Sequence, residues 1–95
     1  MSFLAKLIPV LRQSASSVLL ADGTTGSALS DAKKLMVPAH GLHFLAAGLV
    51  TVIDEDGNSS QILGVAGQDY GAQIVQIMAT GTAVSAANLV LLRGI

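Results

Sequence analysis

The sequence predicts an all-β chain, a small antiparallel β-sandwich or barrel, on three observations. From residue 35 onward, short apolar runs recur at intervals of roughly ten residues, each closed by Gly, Asp, Asn or Ser, which is the punctuation of strands joined by tight turns. The segment Asp54-Glu55-Asp56-Gly57-Asn58 stands between two such runs and supplies residues that tolerate the positive backbone angles of a hairpin. Charge is also scarce: 12% of the residues are charged and 52% hydrophobic, against about a quarter charged in ordinary soluble domains, so the surface must be poor in charge.

Taken in order, residues 1–20 read as an N-terminal docking arm. They carry Lys6 and Arg12 but no acid, and Phe3, Leu4, Leu7, Ile8 and Leu11 fall at helical spacing. Pro9 sits among them and would break an interior helical turn, so an extended or partly helical arm is expected. A targeting peptide fits less well, because Lys6 and Pro9 interrupt the apolar run and no small-residue cleavage site follows it. Residues 22–26 form a turn after the apolar residues 18–20. Ser30 or Asp31 could cap one short helix leading to Lys33 and Lys34.

The strands expected beyond this point are residues 42–46, 49–53, 61–65, 72–78 and 88–92, with 49–53 and 61–65 paired across the acidic turn. Within 72–78, Val75 and Ile77 share one face while Ile74 and Met78 share the other, so both faces call for cover. With no internal repeat and no linker, residues 1–95 read as a single domain.

Residues 35–53 are free of full charge and flanked by Lys33-Lys34 and by three acids, a layout that imitates a spanning helix. Pro38, His40, Gly41, His43, Gly48 and Thr51 inside the run argue against it, so no membrane is expected as a partner. A net charge of −1, with five scattered cations, lacks the footprint of a nucleic-acid binder, and three aromatic residues give no stacking platform.

Chemistry-bearing patterns are thin. No cysteine is present, so there is neither a thiolate cluster nor a thiol nucleophile. His40 and His43 are three apart in a segment where Pro38 and Gly41 oppose a helix, which points them to opposite faces of a strand rather than to one metal. The acidic turn lacks the later carboxylate that closes a calcium loop. The Gly23 to Lys34 region lacks the Gly-Lys-Ser/Thr run of a phosphate loop, and no serine lies in a nucleophile-elbow pattern. The reading is therefore no enzyme, no metal and no cofactor.

The order Pro38-Ala39-His40-Gly41-Leu42, Gly48-Leu49-Val50-Thr51-Val52, Asp56-Gly57-Asn58, Ala66-Gly67, Ala79-Thr80-Gly81-Thr82-Ala83 and Leu89-Val90-Leu91-Leu92 resembles small virion proteins of tailed bacteriophages and gene-transfer agents, in particular head-spike base proteins. The resemblance spans residues 35–92; the first 34 residues have no counterpart in it. It implies an all-β homo-oligomer, a trimer or pentamer, on the outer surface of the virion head. The implied partners are the major capsid protein and, for a spike base, a spike or fibre protein.

Between Asp69 and Arg93 the sequence carries no charge, and its apolar residues exceed what a lone small domain hides. The expected subunit or capsid interface is accordingly Phe3, Leu4, Leu7, Ile8 and Leu11 of the arm with Ile74, Met78, Leu89 and Leu91 of the strands. Rival expectations are a tail or baseplate component and a host-surface glycan-binding module, the latter starved of aromatic residues.

Overall fold

A computed structural model describes residues 10–94. In chain order, the described strands are β1 (Val10–Ser14), β2 (Val18–Leu19), β3 (Thr25–Gly26), β4 (Ala39–Phe44), β5 (Gly48–Ile53), β6 (Ser59–Gly64), β7 (Asp69–Ile74), β8 (Gln76–Ile77) and β9 (Leu89–Gly94). A four-stranded sheet has the order β1-β9-β4-β7, a three-stranded sheet the order β6-β5-β8, and β2 and β3 form a separate ribbon. Every strand pair is antiparallel. The all-β, sandwich-like architecture is the one the sequence predicts.

The β5–β6 hairpin forms across the acidic turn, in six uninterrupted pairs from Gly48↔Gly64 to Ile53↔Ser59. Asp54 organises its tip: the carboxylate accepts the amides of Asp56 at 2.9 Å and Asn58 at 3.0 Å, and Gly57 at φ +83° donates its N–H to the Asp54 carbonyl. Only a residue without Cβ takes that angle cheaply, which is why the turn sits where Gly57 stands. Along β5, Val50 and Val52 are buried while Leu49, Thr51 and Ile53 lie half-buried on the opposite face, the period-two pattern of a sheet with one core face.

The expected single strand at 72–78 is two strands in different sheets. β7 belongs to the first sheet and β8 to the second, and Val75 is the corner, donating to the Ile53 carbonyl at 2.9 Å and accepting from the Leu35 amide at 2.8 Å. Between the pairs Gly41↔Gly71 and Ala39↔Ile74 the β7 strand carries one more residue than β4, a bulge that bends it toward the second sheet just before the switch. The apolar residues on both faces of this segment thus reflect one residue burying into each sheet's inner face: Ile74 and Ile77 are both fully buried.

Phe44, Leu42, Leu89 and Leu91 of the first sheet meet Val50, Val52 and Ile77 of the second in one core. Phe44 lies where a Cβ on Gly64 would be, so the glycine lets the ring pack against the β6 backbone. Tyr70 meets Phe44 edge to face at 5.2 Å, and its hydroxyl accepts the Val65 amide at 3.0 Å, tying the end of β6 to the first sheet.

Two expectations are corrected on the N-terminal side. Residues 10–20, read as part of a docking arm, belong to the body: β1 pairs with β9 over five positions, and Ala15, Val18 and Leu20 are core residues. The short helix at Ser30 to Lys34 is absent. Ser30 Oγ instead accepts the amides of Ala32 and Lys33, side-chain-to-backbone bonds that hold a turn, while residues 29–30 are held on the free edge of β8 by the Leu29↔Ile77 bridge and by Ser30 N–H on the Ile77 carbonyl. The one helical element among the described residues is a 3₁₀ turn, Ala86–Asn88.

Candidate interaction surface

Of the residues expected at an interface, Phe3, Leu4, Leu7 and Ile8 lie outside the described residues. Leu11 is in β1, its backbone opposite Arg93 of β9. Ile74, Leu89 and Leu91 are fully buried within the single chain and so face the core, not a partner. Met78 is half-buried, its sulfur 3.6 Å from the Gln76 side-chain amide. Strand alternation is the reason: Leu89 and Leu91 point inward, leaving Val90 and Leu92 half-buried on the other face.

The apolar side chains that the fold leaves outside are different ones. Leu45, Leu63 and Val65 are 54%, 73% and 54% exposed; Leu19, Met36 and Val37 are 45%, 45% and 53% exposed. Each set is gathered by the backbone. Gly67 N–H on the Phe44 carbonyl, with the Phe44 ring on Gly64, brings the corner after β4 to the end of β6. Met36 N–H on the Leu19 carbonyl at 3.1 Å sets Met36 and Val37 beside β2. Beside this second set opens a groove of about 520 Å³, lined by Met36, Pro38, Ile53 and Val75 together with the charged Lys34 and Asp54.

The outer face of the four-stranded sheet brings polar groups together. Ser14, Val90, His43 and Asp69 form a row across β1, β9, β4 and β7. His43 Nδ1 is hydrogen-bonded to Asp69 Oδ1, and Arg12 reaches the other carboxylate oxygen at 3.6 Å. Ser14 stands two strand spacings from His43, roughly 10 Å, with Val90 between them, so this row cannot pass a proton from a serine to a histidine. The Ser14 hydroxyl is paired with Ser16 instead. His40 is exposed and does not converge with His43, and no group of three or more metal-ligating side chains occurs among the described residues.

Three polar anchors shape the surface around these patches. Asp31 accepts the Thr80 amide at 2.9 Å and the Thr80 hydroxyl, which holds its carboxyl below the usual range and fastens the 27–33 segment to the loop after β8. Asp22 accepts the Thr24 hydroxyl and amide and pairs with Lys33 at 3.2 Å, lowering its pKa from 3.8 to about 2. Arg93 points inward, bonded to Gln13 Oε1 and to the Val37 carbonyl at 3.1 Å, and burial pushes its pKa down.

No helix among the described residues is long and apolar enough to cross a membrane. No family model, curated protein or solved structure matches the chain. What the geometry offers is a set of exposed apolar corners on a lightly charged β body, a surface suited to contact with other proteins.

Proposed function

We propose that this protein is a virion structural subunit of a tailed bacteriophage or gene-transfer agent, attached as an oligomer to the outside of the head, where it decorates and cements the shell or seats a spike. The observation that carries the reading is the apolar surface left uncovered: Leu63 at 73% exposure, with Leu45 and Val65 each more than half exposed. A body of 95 residues with 12% charge has little polar surface to offset such patches, and copies on a symmetric scaffold would cover them. Each contact is modest, and repetition over many copies turns it into durable attachment. The order of strands and glycine turns over residues 35–92 is the second support, through its likeness to head-spike base proteins.

The action is binding, with the major capsid protein as the principal partner and residues 1–9 as the segment that engages the shell. Particles induced and purified from the source organism provide the test. Mass spectrometry of tail-less heads should find this chain in many copies. Finding it only in tails would replace the head assignment with a tail or baseplate role, and its absence from particles would end the virion reading.

A further inference from the structure

We infer that the free edge of β6 is a self-pairing surface, on which a second copy of this chain adds its own β6 antiparallel about a twofold axis at Gln61. The inference stands on the edge geometry and holds whether or not the protein sits on a virion head.

The hydrogen-bond phase of β5 settles which groups of β6 are spare. Ile53, Thr51 and Leu49 direct their carbonyls away from β6, to the amides of Val75, Met78 and Ala83 at 2.9, 2.9 and 2.7 Å. Asp54 N–H donates to the Asn58 carbonyl at 3.0 Å, which puts the even-numbered positions of β5 and β6 in the bonds between them. Ser59, Gln61 and Leu63 therefore turn both N–H and C=O outward, and no strand pairs with them among the described residues. At the next outward position, the Val65 amide is already held by the Tyr70 hydroxyl, which ends the open edge at Leu63.

The other three edges of the two larger sheets are each protected. β1 carries Arg12, β7 carries Asp69 and a bulge, and β8 is covered by residues 29–30. β6 has neither a Lys, a Pro nor a register shift, the devices by which natural edges avoid pairing.

Charge selects the occupant and its direction. The twelve residues from Gly57 to Gln68 hold no charge, so a charged partner strand would find no counter-charge, whereas a twofold places every residue opposite an uncharged one. Centred on Gln61, antiparallel pairing sets Ser59 against the second copy's Leu63 and gains about six hydrogen bonds, two for each of three facing pairs. It also parts the two acidic tips: Asp56 of each copy lies ten residues along the strand from its counterpart, roughly 33 Å, well beyond the screening length of about 8 Å at physiological salt. A parallel pair would bring the two tips together.

The chain has no cysteine, so one introduced thiol reports the register directly. Across the axis, Gln61 faces its own counterpart with Cα atoms about 5.5 Å apart, inside the disulfide range, while Leu63 lies about 13 Å from its own. Under mild oxidation Q61C should form a disulfide dimer at least tenfold faster than L63C, and S59C mixed with L63C should give the mixed dimer. Q61P removes an outward N–H that β5 does not use, so it should keep the β circular dichroism spectrum while the native mass falls from two chains to one. Equal cross-linking of Q61C and L63C, wild-type protein at the mass of a single 9.6 kDa chain up to its solubility limit, or an unchanged dimer in folded Q61P would each overturn the pairing.

Discussion

Gly64 illustrates how much a single position decides in this chain. Any side chain there would occupy the space of the Phe44 ring, the largest fully buried side chain among the described residues. Gly64→Ala should therefore lower stability by about 1–3 kcal/mol as the ring is displaced, read as a lower denaturant midpoint with an unchanged slope. Gln76 is the one buried polar side chain among the described residues, and its amide donates to the Ser30 carbonyl at 2.8 Å. Replacing it with Leu should cost about 1–3 kcal/mol, because the carbonyl loses its partner without gaining access to water. Asp22 gives a pH signature. Its folded pKa, about 2, lies below the ordinary aspartate value of 3.8, so between these values the unfolded chain binds more protons and stability falls as pH falls. Urea titrations from pH 5 to pH 2 should show the wild type losing stability relative to Asp22→Asn across that window. A constant difference between the two would remove Asp22 from the acid response.

At the scale of elements, the legible parts were those whose local chemistry leaves one solution. The β5–β6 hairpin follows from Gly57 and Asn58 after three acids, and its register follows from Val50 and Val52 alternating against half-buried neighbours. The β7–β8 segment was illegible in detail because a sheet switch buries Ile74 into one sheet and Ile77 into the other, which in sequence looks like one strand with two apolar faces. The short helix failed on Ser30, whose hydroxyl satisfies the same amides that a helix start would offer, yet in a turn held down on β8. Ile74, Leu89 and Leu91, expected at an interface, lie in the core for a related reason. Runs such as Leu89 to Leu92 advertise hydrophobicity loudly, but alternation sends half of them inward, while Leu45 and Leu63, which follow Phe44 and Ile62 in sequence, are left exposed. No count of apolar residues separates these two cases without the pairing register.

For the whole molecule, we propose a division of labour between a body that begins at β1 and the nine residues before it. Because β1 pairs with β9 from Val10 onward, removing residues 1–9 leaves every described strand in place. That truncation should retain the wild-type thermal midpoint within a few degrees while abolishing co-sedimentation with heads; retained co-sedimentation would move shell attachment onto the body. We propose that the body alone leaves an apolar surface that copies of itself cover. Sedimentation equilibrium on the wild type beside a variant with Leu45, Leu63 and Val65 all changed to Thr tests this most directly. The account predicts an oligomer whose mass the triple variant lowers at undiminished β content; a wild type that is already monomeric, or a variant with unaltered mass, would contradict it.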